Sequence, residues 1–334
     1  MFIQKTKKLH ILIVLPAKIP ALLYGGTERV IWDLGKCLYD LGHQITYLVS
    51  EGSVCPFANV LFYDSQKSLN TQIPEDVDLV HLQFSPNEEI KKPYLVTIHG
   101  NIPFGMKLDK QCVFVSKNHA ERHGSQVFVY NGLDWSNYPT IDLKSKRNSF
   151  HFLANAAWKV KNLKGALELT KEANQKLVVL GGHRFNFRMG WRFTFDTHVR
   201  FEGMVNNQKK AKFLNESKGL IFPVLWDEPF GLAVIESLYF GCPVFATPYG
   251  ALPELVNNNV GVLSNQKSVL IEALKTSDSF DKKACHEYAQ EQFSAIKMTK
   301  EYLKIYEKVM NGEVLNDHQP TLLNKQEEKY LPFK

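Results

Sequence analysis

The sequence contains few cysteines and no closely spaced pair of them. No Cys-x-x-Cys motif occurs, and the five cysteines lie far apart at Cys37, Cys55, Cys112, Cys242 and Cys285. An odd and scattered set argues against a disulfide framework. It is typical of reduced thiols, so we expect a cytoplasmic protein.

Long apolar runs and a strong charge excess are also lacking. No segment is apolar over the roughly 20 residues that a membrane-spanning helix needs. The apolar run at residues 9–15 is short and no small-residue cleavage site follows it, so we predict a buried strand rather than a signal peptide. The net charge of +6 comes from 40 basic and 34 acidic residues. It fits a phosphate-rich substrate or an anionic membrane surface without requiring either.

The alternation of apolar and helical segments predicts parallel, doubly wound sheets, in which ligands bind at the carboxyl ends of the strands. A helix is predicted at 27–41, and strands are predicted at 9–15, 44–49, 78–82, 94–98, 112–115 and 127–130. After a polar linker at 138–149, further strands are predicted at 150–154, 177–180, 199–203, 219–224 and 243–246, and helical structure at 268–310. We therefore predict domains at 1–147 and 148–310 and a loosely held polar tail at 311–334.

The chemistry is concentrated in residues 219–246. A buried strand, a loop and a helix at 232–240 follow one another, and a second strand comes after Gly241. The N–H groups at the start of this helix would favour an anion such as a phosphate. Glu228 before the helix and Glu236 inside it would then accept hydrogen bonds from hydroxyls. A nucleotide sugar fits this arrangement, while an ordinary helix start with a helix-favouring Glu stays the alternative.

The same stretch resembles a known signature. Residues 228–232, Glu-Pro-Phe-Gly-Leu, with Glu236 eight positions after Glu228, resemble the motif of family 4 retaining glycosyltransferases of the GT-B fold. The following block, residues 241–256, also resembles this family, although Gly250-Ala251 stands where the family usually has two glycines. Blocks of the first half resemble the same family at 24–30, 77–81, 94–100, 113–117 and 130–134. The likeness implies two Rossmann-like, doubly wound parallel-sheet domains with a cleft between them.

The resemblance also implies roles for individual residues. It gives catalytic roles to Glu228 and His99, and donor binding to Gly25, Gly26, Lys161, Phe230, Gly231, Leu232 and Glu236. It implies neither a metal nor a cofactor. The family's phosphate-binding Arg is missing near Asn155, so we expect Lys159 or an Arg from another loop to replace it. A solvated basic turn is the alternative interpretation of that segment.

Three further patterns are given other interpretations. His81, inside a predicted strand, is interpreted as structural. Asp76 and Asp78 imitate the metal-binding Asp-x-Asp of a different glycosyltransferase fold, but they lie far in sequence from the phosphate site. The segment 183–195 interleaves arginines with aromatics, as nucleic-acid proteins do. We favour an amphipathic loop or hairpin that packs its aromatics inward, and we expect no nucleic-acid partner.

The sequence thus predicts a retaining glycosyltransferase that moves a sugar from a nucleotide-sugar donor to a glycan or lipid-linked acceptor. Cell-surface polysaccharide or lipopolysaccharide synthesis is the expected process, and peripheral contact with the inner face of the membrane is left open. A catalytically silent subunit that partners an active transferase and a sugar-nucleotide epimerase of the GT-B fold are the alternatives. A Rossmann dehydrogenase is disfavoured, because no Gly-x-Gly-x-x-Gly follows the first strand. The donor sugar, its base, the acceptor and the oligomeric state stay open.

Overall fold

The computed structural model describes residues 8–21, 25–187, 189 and 191–334. The chain divides into two units. The first is Met1–Asp134 with Ala295–Lys325, and the second is Trp135–Ser294 with Gln326–Lys334. The structure therefore divides the chain earlier than the predicted boundary at 147/148. Trp135 explains the difference, because its ring stacks on Tyr239 of the second unit with the centroids 4.2 Å apart.

The strands and helices follow one another along the whole chain. The strands are β1 His10–Leu15, β2 Gln44–Val49, β3 Asn59–Phe62, β4 Leu79–Leu82, β5 Tyr94–Ile98, β6 Cys112–Phe114, β7 Ser149–Leu153, β8 Leu177–Leu180, β9 Phe185–Asn186, β10 Arg192–Phe193, β11 Val199–Phe201, β12 Ser217–Phe222, β13 Val244–Ala246 and β14 Gly261–Leu263. The helices are α1 Gly26–Asp40, α2 Lys117–Arg122, α3 Leu163–Glu172, α4 Asn207–Asn215, α5 Leu232–Tyr239, α6 Leu252–Leu255, α7 Lys267–Lys275, α8 Lys282–Gln292 and α9 Ala295–Met310.

The first unit is built on a parallel six-stranded sheet in the order β3-β2-β1-β4-β5-β6. Its strands β1 and β4 are almost wholly buried, because apolar runs without alternation are covered on both faces. The predicted strand at 127–130 is wrong, since it makes only an isolated bridge between Phe114 and Phe128. The edge strand β3 was missed, because it is only four residues long and mostly exposed.

The second unit has a parallel sheet of its own, in the order β11-β8-β7-β12-β13-β14. From β7 the chain first adds strands on one side, through β8 to β11. It then returns to β12 on the other side of β7. The strand order therefore reverses between β7 and β12, and the carboxyl ends of these two strands border the crevice where such sheets bind ligands.

The C-terminal part of the chain differs from its prediction. The helical stretch at 268–310 is broken into α7, α8 and α9, and α9 belongs to the first unit. The polar tail is held rather than loose. Asn316 donates to the carbonyls of Lys110 and Cys112 in the first unit, and the Leu331 N–H donates to the Leu225 carbonyl in the second. No helix within the described ranges is both long and apolar enough to cross a bilayer.

Candidate functional site

The site is built first by the loop that follows β7. Lys161 ends a 3₁₀ turn, and Asn162 after it adopts a left-handed backbone with φ of 55° and caps α3 by accepting from the Gly165 N–H at 2.9 Å. The Asn162 amide also donates to the Pro223 carbonyl at 2.9 Å. Because Pro223 directly follows β12, this bond ties the two loops of the crevice together.

Lys161 and Glu228 meet across those loops. The lysine Nζ lies 2.6 Å from Oε2 and 2.9 Å from Oε1 of the carboxylate, and both side chains are buried. The Trp226 indole N–H donates to the same Oε2 at 2.8 Å. The ammonium group also lies over the Trp226 and Phe222 rings, 4.9 and 5.2 Å from their centroids. A buried cation and a buried carboxylate are thus fixed side by side at the crevice.

The main chain around Glu228 is packed against the block that follows β13. The Ala251 N–H donates to the Glu228 carbonyl at 2.9 Å. Gly250 has φ of +63°, and a Cβ there would lie 2.3 Å from the backbone N and O of Glu228. Only glycine satisfies both conditions, so Gly250 fixes the position of Glu228, while Ala251 replaces the family's second glycine at no cost to the contact.

The N-terminus of α5 faces the same loop. Gly231 precedes the helix with φ of 108°, a left-handed conformation that favours glycine. Phe230 is buried against Phe293, with ring centroids 6.0 Å apart. The Val234 N–H donates to the Gly231 carbonyl at 2.9 Å. The N–H groups of Leu232 and Ala233, which have no acceptor within the helix, can therefore bind an anion.

Glu236 lies deeper in the same helix and is buried. It accepts from the Tyr138 hydroxyl at 2.7 Å and forms an ion pair with Lys210 of α4. Sequence reasoning missed both partners. Lys210 had a usable signal, because it shares a helix face with the buried Phe213 and Leu214, three and four positions on.

His151 of β7 links this helix to the sheet. Its two ring nitrogens lie 2.6 Å from the Ser217 hydroxyl and 2.8 Å from the Ser237 hydroxyl. Burial, aided by the charge of Arg147, lowers the pKa of His151 to about 3. The imidazole is therefore neutral at pH 7, and it holds Ser237, the residue next to Glu236, against β12.

The segment around Asn155 has no arginine, and its packing is tight. The side-chain oxygen of Asn155 accepts from the Ala157 N–H at 3.0 Å. A Cβ on Gly181 would lie 2.1 Å from the Ala154 carbonyl oxygen, so two loops meet closely here. Lys159 is exposed, and its replacement of the arginine, like replacement by an Arg from another loop, stays a prediction. The structure adds Lys210 as a second buried lysine in this unit.

The first unit carries the remaining predicted residues. Gly25 and Gly26 lie at the start of α1, and a Cβ on Gly25 would come 2.7 Å from Ala21 Cβ. Tyr24, the first residue of the 24–30 block, lies outside the described residues. His99 follows β5, and its Nε2 lies 2.7 Å from Oε1 of Gln83, a partner that the sequence did not suggest. Burial lowers the pKa of His99 to about 4, so the ring is neutral at pH 7.

The residues interpreted as structural also have partners in the first unit. His81 lies between the Tyr306 hydroxyl at 2.9 Å and the Thr97 hydroxyl at 2.7 Å, in agreement with a structural role. Asp76 and Asp78 both contact His10, at the amino end of β1 and so at the edge of the sheet opposite the ligand edge. Over the described part of the chain, no group of three or more His, Cys, Asp or Glu side chains could hold a metal ion.

Comparison with known proteins agrees with this arrangement. Residues 137–287 match the model of the family described as glycosyl transferases group 1. An uncharacterized 41.2 kDa protein in the cps region of Klebsiella pneumoniae is 32% identical over 116 residues, which make up 33% of this chain and 32% of that protein. The chain thus spans about a third of the length of this curated relative.

Two solved structures share the fold over most of the chain. AviGT4, a glycosyltransferase involved in avilamycin A biosynthesis, has a TM-score of 0.74 at 18% identity, covering 91% of this chain and 98% of that one. Anabaena HepE in complex with UDP-glucose has a TM-score of 0.64 at 14% identity, covering 91% and 100%. The two parallel-sheet units and these likenesses confirm the predicted α/β fold of the GT-B class.

Proposed function

We propose that the chain, whose residues 137–287 match the model of the glycosyl transferases group 1 family, moves a sugar from a nucleotide-sugar donor to a hydroxyl acceptor. The observation that carries the proposal is the Lys161–Glu228 pair, held at the point where the strand order of the second sheet reverses. That point is where open α/β sheets bind ligands. A buried ammonium and a helix N-terminus suit a diphosphate there, and carboxylates suit the hydroxyls of a sugar.

Each group has a proposed task. Lys161 and the first N–H groups of α5 balance the charge that develops on the leaving diphosphate, a preorganised stabilisation that needs no movement of solvent. Glu228 accepts from hydroxyls of the donor sugar, and Glu236 accepts from those of the ribose. The solved complex of HepE contains UDP-glucose, which supports a nucleotide-sugar donor for this chain. The roles of His99, Gly25 and Gly26 stay predictions from the resemblance.

We propose that the transfer needs no divalent metal. The lysine ammonium and the helix N-terminus already supply positive charge where a diphosphate would leave. Turnover in excess chelator should therefore stay near its untreated value. A turnover rate that chelator abolishes and manganese restores would contradict a metal-independent transfer. It would make Asp76 and Asp78 the candidate metal ligands.

For the acceptor we propose a glycan or a lipid-linked glycan of cell-surface polysaccharide or lipopolysaccharide synthesis. The support is the family resemblance together with the net charge of +6, which suits an acceptor presented on an anionic surface. A cytoplasmic enzyme that meets the inner face of the membrane would fulfil this role. Acceptor screening with undecaprenyl-linked and free oligosaccharides would test it, and transfer to neither class would contradict it.

A catalytically silent subunit is the second candidate, favoured by the missing arginine near Asn155. The release of nucleoside diphosphate from a panel of nucleotide sugars distinguishes an active transferase from a silent subunit. We expect release by the wild type and at least about a hundredfold slower release by Glu228→Gln. Glu202→Gln is the matched control, because that side chain is 8% exposed and lysine-paired like Glu228 but lies next to the edge strand β11. No release with any donor would favour the silent subunit.

A further inference from the structure

The segment between β8 and β11 presents its apolar side chains to solvent. It forms the β9–β10 hairpin, so the predicted hairpin is confirmed, but the predicted inward packing of its aromatics is wrong. Trp191 is 79% exposed and Phe195 76%. The other exposed large apolar side chains of the segment are Phe185, Phe187, Met189 and Phe193. Exposed apolar clusters of this kind mark sites of interaction.

These side chains contact one another rather than a core. The Phe193 ring lies 5.9 Å from Phe185 and 5.8 Å from Phe187, measured between centroids. The Trp191 ring lies 6.4 Å from Phe187. The aromatic side chains therefore form one patch on a two-stranded hairpin, with Trp191 near its tip.

Arg184 and Arg192 hold the base of the hairpin. Arg184 donates to the Asp196 carbonyl at 3.0 Å, and Arg192 donates to the His183 carbonyl at 3.0 Å. Both guanidinium groups lie over the Phe201 ring, at 5.6 and 5.3 Å from its centroid. Both guanidinium groups are thus held at one ring of the base instead of alternating with the rings of the patch, which argues against a nucleic-acid stacking platform.

The base of the hairpin carries an excess of positive charge. The side chains joined there by described contacts are the cations Lys171, Arg184, Arg192, Arg200 and Lys209 and the carboxylates Asp196 and Glu202. Five positive and two negative charges leave a net charge of +3. The patch of apolar side chains is thus bordered by a cationic rim.

We propose that this hairpin is a membrane anchor that inserts its aromatic patch into the interface of an anionic phospholipid bilayer. Trp and Phe are side chains that interfacial segments bury at the headgroup level, and basic residues nearby are attracted to anionic lipids. A second copy of the chain fits less well, because it would bring one cationic rim against another. The inference goes beyond glycosyl transfer and does not use it.

The test is flotation of the purified chain with vesicles of phosphatidylglycerol and phosphatidylcholine, compared with vesicles of phosphatidylcholine alone. We expect the wild type to bind the anionic vesicles more strongly. Phe187→Ala/Trp191→Ala should weaken that binding by about tenfold or more, because two interfacial side chains are lost. Phe62→Ala/Phe104→Ala is the matched control, since these rings are 55% and 54% exposed in the first unit. It should float like the wild type.

Circular dichroism and the melting temperature should not change in either variant, because the substituted side chains are exposed. Equal flotation of Phe187→Ala/Trp191→Ala and the wild type would overturn the proposal, as would a wild type that binds neither vesicle. A wild-type dimer that this variant converts to a monomer would assign the patch to a second copy instead. The assay uses no donor or acceptor, so its failure leaves the transferase proposal untouched.

Discussion

The Nζ atom of Lys161 lies 2.6 Å from Oε2 of Glu228, in a buried ion pair that joins the loops after β7 and β12. The two residues are 67 positions apart in the chain. Their pairing places the candidate diphosphate-binding cation directly beside the candidate sugar-binding carboxylate. The chemistry proposed for the site therefore depends on the geometry of this pair.

The first prediction concerns the stability of that pair. Lys161→Met and Glu228→Gln should each lower the free energy of unfolding, by up to about 3–5 kcal/mol, because a buried charge loses its partner. The double variant should lose less unfolding free energy than the sum of the losses in the two single variants, since no buried charge is then left without its partner. Urea unfolding of the four proteins measures the coupling. Strict additivity would show that the pair is not formed in solution.

The second prediction concerns Gly250. An alanine there would place Cβ 2.3 Å from the Glu228 backbone, so Gly250→Ala should displace Glu228 and lower turnover by about a hundredfold. Gly105→Ala is the matched control, because φ is +85° there and nothing lies within 4 Å of a Cβ. Both variants carry the strain of a left-handed alanine, about 1 kcal/mol. Equal turnover in the two would mean that Glu228 is not held by this contact.

The third prediction is a pH dependence of stability. Burial lowers the pKa of His151 to about 3, against an ordinary value of 6.5. The unfolded chain therefore binds a proton as the pH falls through 6.5, whereas the folded chain does not. The contribution of neutral His151 to the free energy of unfolding is complete above that pH and is lost as the pH falls toward 3. At pH 5 the loss is about 2 kcal/mol.

His151→Gln removes the titrating group and leaves the other histidines in place. The loss of unfolding free energy between pH 7 and pH 5 should be smaller in this variant than in the wild type by about 2 kcal/mol. Denaturant unfolding at both pH values measures the difference. Parallel losses in the two proteins would contradict a buried, neutral His151.

Much of the second unit could be predicted from local signals. The apolar run before Pro223, the glycine at 231 and the glycine at 241 define the strand, the loop and the helix between them, and β12, α5 and β13 lie within two residues of their predicted bounds. These features depend on neighbouring residues alone. A short, exposed strand such as β3 carries no comparable signal and was missed.

The partners of the charged groups could not be predicted in the same way. Glu236 pairs with Lys210, 26 positions away, and with Tyr138, 98 positions away. Such pairings depend on which segments of the chain become neighbours in the fold, and the spacing of residues in the sequence does not reveal these neighbours. The insert at 183–195 shows a related difficulty, because its composition predicts amphipathicity but not which side faces solvent. In the structure, two arginines stack on Phe201 and the aromatic side chains of the hairpin face solvent.

The fourth prediction is that the transfer retains the anomeric configuration. Both oxygens of Glu228 contact Lys161, and one also accepts from the Trp226 indole. A carboxylate engaged in this way is a poor base for an acceptor that attacks from the opposite face and a poor nucleophile for a double displacement. Attack from the face of the departing diphosphate, whose oxygen takes the proton, is the remaining route. An α-linked donor should give an α-linked product by NMR of its anomeric proton, and a β linkage would refute the route.

The fifth prediction concerns Glu236 and donor affinity. Glu236→Gln keeps the shape of the side chain and its ability to accept from Tyr138, but it removes the charge that we assign to binding the ribose hydroxyls. A hydrogen bond to a charged group contributes about 1.5–3 kcal/mol, so the Kd of the donor should rise about tenfold or more. Glu202→Gln, which changes a lysine-paired carboxylate next to β11, should leave the Kd unchanged.

Titration calorimetry of the wild type and Glu236→Gln with UDP-glucose and a panel of other nucleotide sugars tests the central claim most directly. A thermal-shift screen selects the donor, since a ligand at a hundred times its Kd adds about 2.7 kcal/mol to the unfolding free energy. The account predicts that at least one nucleotide sugar binds and that Glu236→Gln weakens this binding about tenfold or more. Binding of none of them, or equal affinity of the two proteins, would contradict a nucleotide-sugar site at α5.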